Sequence, residues 1–228
     1  MTAVSAPPAL AEGLALIFDM DGVLLDSNAA HREAWTAYNR GCGVETTEEM
    51  VQRMYGRRND QIVRDFFGDA LSDDEVARRG ADKERLYRKM IGPRLQQMLV
   101  PGLRAFLERF REAPMAVASN AEPDNVSFLL DQTGLRPFFR VVVDGHQVSR
   151  PKPHPEIYLR AAEWLDIAPK NAIVFEDSHS GVEAGVAAGM RVIGLRTTFD
   201  SLPGTAISVD NFLSSELFTW LATQRRAV

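Results

Sequence analysis

Only one cysteine, Cys42, occurs in the 228 residues, so no intrachain disulfide can form, and no His/Cys cluster stands near it to make a metal site. It is expected to be a plain buried or surface thiol. No apolar run approaches the ~20 residues needed to span a bilayer. The opening stretch MTAVSAPPALAEG has neither the basic nor the apolar region of a secretory signal. The expectation is a soluble cytoplasmic protein with a loose N-terminal tail and no membrane partner. Lys and Arg are scattered rather than clustered and the net charge is -5, so there is no basic stripe to neutralise a nucleic-acid backbone. Internal repeats and low-complexity tracts are missing as well. With 45% hydrophobic residues, the chain is long enough for one large domain or two small ones.

What is present is a rhythm. Short apolar runs ending in polar residues recur as LALIFD at 14–19, MAVASN at 115–120, FRVVVD at 139–144, AIVFED at 172–177 and VIGLRT at 192–197, with a weaker AISVD at 206–210. Their length and β-branched content predict strands. Between them lie helical segments: LRAFLERFRE at 103–112, DNVSFLLDQTG ending at Gly134, HPEIYLRAAEWL with Pro155 in its first turn, and the small-sided GVEAGVAAG. Strand-helix alternation with strands apolar on both faces implies α/β architecture, a parallel sheet covered on both sides by helices. In such folds ligands gather beyond the carboxyl ends of the strands.

Residues from about 28 to 98 break the rhythm. AAHREAWTAYNR, TTEEMVQRMYG, RRNDQIVRDFFG and SDDEVARRGADKERLYRKMIGPRLQQM all read as charged helices, and Thr46 with Glu49 and Ser72 with Glu75 have capping-box spacing. The expected organisation is a doubly wound α/β core over residues 1–26 and 99–228, with a helical lid over 27–98 inserted after the first strand.

The polar ends of the strands carry the chemistry. Asp19 and Asp21 in FDMDGVLLDS repel each other unless something positive stands between them, and a hard divalent cation such as Mg2+ suits oxygen ligands. Glu176-Asp177 ends a second strand and can hold the same ion. Such acids can also be solvated loop residues or helix caps. An EF-hand start is excluded, because Val23 occupies the third ligand position and Gly22 comes too early. Ser119 and Asn120 are short donors suited to a phosphoryl oxygen, and Lys152 lies between two prolines that stiffen its loop. Alone, a Ser-Asn pair is turn chemistry and a lysine is solvated. In succession at strand ends they point to phosphoryl transfer, which needs a nucleophile, compensating cations and donors.

The segments FDMDGVLLDS, ASN, KPHPEIYL and VFEDSHSGVEAGVAAGM resemble motifs one to four of the haloacid dehalogenase-like superfamily, over nearly the whole chain. The resemblance implies a Rossmann-like core in which Asp19 is the nucleophile, forming an aspartyl phosphate, and Asp21 the general acid and base, its backbone carbonyl also binding Mg2+. It further implies that Asp177 ligates the metal directly and Glu176 directly or through water, with Ser119, Asn120 and Lys152 on the phosphoryl group. Members that are true dehalogenases lack the second aspartate, so dehalogenation is set aside.

A helical lid between the first two motifs resembles the subgroup containing β-phosphoglucomutase, sugar-phosphate phosphatases and phosphoglycolate phosphatases. On that resemblance His31 and Trp35 in HREAW stand at the lid hinge, Arg58 in GRRND grips a distal phosphate, and Lys83 pairs with His31. The i, i+4 spacing of His31 and Trp35 equally suits a packed helix face, and Arg58 and Lys83 equally suit solvent. Where the mutases have small residues at the second motif, this chain has Asn120, as many phosphatases do. The expectation is therefore a monomeric Mg2+-dependent phosphatase acting on a small phosphorylated metabolite, a sugar phosphate, with β-phosphoglucomutase as the alternative and a non-catalytic phosphometabolite-binding protein as a third.

Overall fold

The structure, a computed structural model, describes residues 10–226; most of the expected N-terminal tail lies outside these residues. All six apolar runs form strands: β1 (Ala15–Phe18), β2 (Met115–Ala118), β3 (Val141–Val143), β4 (Ala172–Glu176), β5 (Arg191–Leu195) and β6 (Ile207–Val209). They pair in parallel in the order β3-β2-β1-β4-β5-β6. Strand order therefore reverses beside β1, the point at which doubly wound sheets open a crevice for ligands.

Even fully buried strands keep a two-residue alternation. Leu16 and Phe18 face one side with Ile173 and Phe175 of β4, against α5 (Leu103–Arg109), α6 (Pro123–Thr133) and α9 (Ser215–Thr223). That layer is built of interlocking rings: Phe18 stacks on Phe175 at 4.7 Å, and Phe106 and Phe212 meet both. Ala15 and Ile17 face the other side with Ala116, Ala118 and Ala172, against α7 (Glu156–Trp164) and α8 (His179–Ala187). Small residues there let the two helices lie close to the sheet.

The lid consists of α1 (Asn28–Gly41), α2 (Glu48–Met54), α3 (Asn59–Phe67), α4 (Asp73–Ile91) and a 3₁₀ turn over Gly92–Met98. It has its own apolar centre, Trp35, Met50, Met54, Ile62, Val63 and Phe66 among its members, while Ala30, Ala34, Tyr87 and Ile91 root α1 and α4 in the main core. The lid thus has an apolar centre of its own and is joined to the main core through α1 and α4.

The first helix cap differs from expectation. Thr47, not Thr46, caps α2, accepting from the Met50 amide at 3.2 Å, because Thr46 Oγ1 is taken by the buried Asn39 at 2.9 Å. Ser72 does cap α4, but Glu75 turns away to Arg78 and Arg79, so only half of that box forms. Pro155 caps α7 instead of entering its first turn. Among the described residues no helix is long and apolar enough to cross a membrane.

Candidate active site

Asp19, the residue after β1, lies on the crevice, its amide donating to Phe175 O at 3.0 Å. Ser119 follows β2, and Asp177 follows β4, so the strand order alone gathers three motifs. Lys152 reaches in from the loop before α7 and donates to Asp19 Oδ1 at 2.5 Å and Glu176 Oε1 at 2.7 Å. Burial works to neutralise this lysine, but the two carboxylates more than reverse it and raise its pKa.

Glu176 is fully buried and accepts from Lys152 Nζ, Tyr158 OH, the amides of Asp177 and Ser178, and Ser178 Oγ, at 2.7–3.0 Å. Burial would raise its pKa; Lys152 and these donors lower it instead. Asp177 Oδ2 accepts from Thr198 Oγ1 and, at 3.3 Å, from Asn28 Nδ2. Burial, with Glu176 and Asp19 adding repulsion, pushes the Asp177 carboxyl well above its ordinary range. Gly22 makes its position possible: a Cβ there would stand 1.8 Å from Asp177 Oδ2, and φ is +75°.

Asp19 is raised to about 7, by burial first, with Lys152 opposing and Glu176 and Asp21 adding. Two buried carboxyls that resist ionisation mark a surplus of negative charge. Asp19, Glu176 and Asp177 can each place one oxygen within 4.8 Å of the others, an all-oxygen set that fits a hard divalent cation such as Mg2+. Since Glu176 is saturated by donors, Asp19 and Asp177 are the side chains better placed to coordinate.

A test follows by linkage. A raised carboxyl stabilises the fold below the ordinary carboxylate pKa of about 4 and loses that contribution as pH climbs through its folded value, here about 7 for Asp19. A cation competes with the same protons. Added Mg2+ is therefore expected to raise the melting temperature more at pH 8 than at pH 5.5, and an equal increment at both would contradict the arrangement.

Asp21 has its own partners, with Oδ1 accepting from Ser27 Oγ at 2.6 Å and lying 3.1 Å from His31 Nε2. Burial alone would raise its pKa; His31 and Ser27 lower it, so it is held ionised. Lys83 Nζ stands 3.1 Å from His31 Nδ1, and His31 stacks on Tyr87 at 3.9 Å. The expected lysine-histidine pair is thus present in the geometry.

Ser119 Oγ accepts from the Ala121 amide, which leaves its proton for the pocket. Asn120 spends both ends of its amide elsewhere, Nδ2 on Gly56 O at 2.9 Å and Oδ1 on the Lys152 amide at 3.3 Å. It joins lid to core. The lid loop meets the core without a side chain at Gly56, where a Cβ would lie 2.6 Å from Ser180 Oγ and φ is +72°. Beneath it lies a cavity of about 80 Å³ bounded by Asp19, Asp21, Lys152, Asp177, His31 and Arg57. Arg58 faces a neighbouring cavity of about 630 Å³ with Arg64, His146 and Glu122, and Asn59 and Asn120 border both spaces. Sequence reading did not single out Asn28, Arg57, Tyr158 or Thr198. In Arg57 it had a signal, the first arginine of GRRND, but no means of choosing between the two.

Residues 14–189 match the family model of haloacid dehalogenase-like hydrolases. The chain is 33% identical to the phosphorylated carbohydrates phosphatase of Thermotoga maritima, over 79% of this chain and 84% of that protein. It is 30% identical to the fructose-1-phosphate phosphatase YqaB of Escherichia coli, over 79% and 95%. Its fold is similar to the crystal structure of β-phosphoglucomutase from Clostridium difficile, with a TM-score of 0.82, 24% identity and coverage of 91% and 96%.

Proposed function

The chain belongs to the haloacid dehalogenase-like hydrolases, and from that membership we propose that it is a Mg2+-dependent phosphatase of a small phosphorylated carbohydrate, working through an aspartyl phosphate on Asp19. The observation that carries this reading is the pairing of a buried carboxylate, Asp19, with Lys152 at the crevice while a second carboxylate, Asp21, is held apart and ionised by His31 and Ser27.

Asp19 Oδ attacks phosphorus in line, and the bond to the sugar oxygen breaks as Asp21, protonated from solvent before this half, passes that proton to the leaving oxygen. Asp21, ionised again, then draws a proton from the water that attacks the aspartyl phosphate. The carboxylate form that His31 and Ser27 favour at Asp21 is the form this second half requires. Lys152 Nζ and Ser119 Oγ face the phosphoryl oxygens, where a cation and a donor offset their charge. A bound Mg2+, held by Asp19, Asp177 and the Asp21 carbonyl with Glu176 behind them, would relieve repulsion between the anionic nucleophile and its anionic substrate. Arg57, paired with Asp65, and Arg58, paired with Asp60 in the adjoining cavity, are cations that could exchange those partners for the rest of the substrate.

The Thermotoga maritima and Escherichia coli relatives, at 33% and 30% identity, are phosphatases of phosphorylated carbohydrates, and Asn120 stands where the mutase pattern has a small residue. The Lys83–His31–Asp21 line favours β-phosphoglucomutase as a second reading. Phosphorus NMR separates them. With Mg2+, fructose 1-phosphate, glucose 6-phosphate, or β-glucose 1-phosphate plus trace glucose 1,6-bisphosphate, the expected product is inorganic phosphate. Conversion of β-glucose 1-phosphate to glucose 6-phosphate without phosphate release would establish the mutase, and inertness towards all of them would count against both.

A further inference from the structure

Glu84 is 3% exposed, lies on α4 of the lid, and takes no part in the chemistry above. Three donors converge on it. Oε1 accepts from Lys83 Nζ at 2.5 Å and Asn59 Nδ2 at 2.7 Å, and Oε2 accepts from Asn125 Nδ2 at 2.6 Å. Asn125 belongs to α6 in the core, is 4% exposed, and has its amide orientation fixed by Arg88, which donates to its Oδ1 at 2.6 Å. Asn59 also donates to Glu122 Oε1 at 3.0 Å, at the start of α6. One lid-to-core tie therefore ends on this lid carboxylate, and a second reaches it through Asn59.

From there the connection returns to the core. Lys83 is 1% exposed, lies 4.9 Å from the Trp35 ring and 5.4 Å from that of Tyr87, and has Glu84 as its counter-charge. An ammonium can only donate, so His31 Nδ1 accepts from it and Nε2 carries the proton that reaches Asp21 Oδ1. Without an oriented oxygen at position 84 the buried Lys83 ammonium has no acceptor there to fix its aim.

We infer that Glu84 is a positioning residue: seated on Asn125 when the lid is closed, it aims Lys83, fixes the His31 tautomer, and so couples lid closure to the placement of Asp21. The kinetic part of this inference rests on the phosphatase reading; the tautomer part does not.

Three variants test it. In Glu84→Gln the amide cannot accept from all three donors, since with its oxygen on Lys83 its nitrogen meets the Asn125 amide nitrogen. In Asn125→Asp two carboxylates face each other. In the double variant Glu84→Gln/Asn125→Asp the tie is restored with donor and acceptor exchanged, and Arg88 gains a carboxylate.

The first readout compares fructose 1-phosphate or glucose 6-phosphate, whose alkoxides need a proton, with p-nitrophenyl phosphate, whose leaving group does not. Glu84→Gln is expected to lower kcat on the sugar phosphate about 30-fold and on p-nitrophenyl phosphate less than about 3-fold, with KM little changed. The double variant is expected to recover most of the loss. The second readout is nitrogen-15 NMR of the four histidines. His31 is expected as the Nε2–H tautomer in the wild type and the double variant, and as a mixture in either single variant.

Equal loss on both esters with an unchanged His31 tautomer would reduce Glu84 to a packing role and overturn the inference. If Glu84→Gln does not fold, Asn125→Asp gives the same two readouts with Glu84 in place. If the wild type hydrolyses none of these esters, the phosphatase reading fails, and the His31 spectra alone decide the positioning role.

Discussion

Replacing Asp19 with asparagine is expected to lower phosphate release by about 10⁴-fold or more while making the metal-free protein harder to unfold at pH 8. The activity loss follows because an amide oxygen cannot form and release a phosphoryl ester at this position. The stability gain follows from the sign of the pKa shift. Asp19, raised to about 7, is ionised at pH 8 in an environment that disfavours its charge, with Glu176 and Asp21 adding repulsion. Asparagine resembles the neutral form and keeps an oxygen for Lys152 Nζ. The gain should be about 1–3 kcal/mol at pH 8 and shrink towards pH 5, where Asp19 itself is protonated in the fold. Thermal melting at the two pH values, without Mg2+, checks it. A variant less stable than the wild type at pH 8 would show that Lys152 holds Asp19 more strongly than burial disfavours it.

Lys152→Met should do the reverse, costing both activity and stability. The lysine is the cation shared by Asp19 and Glu176, both buried, at 2.5 and 2.7 Å. Without it two carboxylates face each other uncompensated, a loss of about 3–5 kcal/mol. For a chain of this size that corresponds to about 10 °C in melting temperature. Adding Glu176→Gln to Lys152→Met removes one of the stranded charges and should recover part of the stability but none of the activity. Denaturant unfolding of the two variants beside phosphate release separates these effects. If Lys152→Met were as stable as the wild type, the shared-cation account of the site would be wrong.

The core was legible in the sequence because its strands are buried on both faces and stand out as unbroken apolar runs. Even AISVD, the weakest, forms β6. The residues at the strand ends were legible because the topology brings the ends of β1, β2 and β4 together whatever the side chains do. What could not be read were partners that tertiary packing supplies one at a time. Asn28 meets Asp177 across 149 positions, and Tyr158 sits on a helix face that reads as core until its hydroxyl is traced to Glu176. The register of the α2 cap slipped by one residue because Asn39, in the last turn of the helix before it, claims Thr46. Arg57 and Arg58 are indistinguishable as letters; after the turn at Gly56 the first borders the smaller cavity and the second the larger.

The two faces of the sheet differ in a way that reaches beyond packing. On one face interlocked phenylalanines supply bulk cohesion, and a change in one ring can be absorbed by rotation of its neighbours. On the other, alanines hold α7 and α8 close to the strands, and those helices carry Tyr158 and the turn that presents Asp177. An enlarged alanine there would act as a wedge, displacing the groups proposed to handle phosphate even if the protein stayed folded. Adhesion and calibration are thus assigned to opposite sides of one sheet, which leaves the molecule free to drift in strength on one side while its working distances are kept on the other.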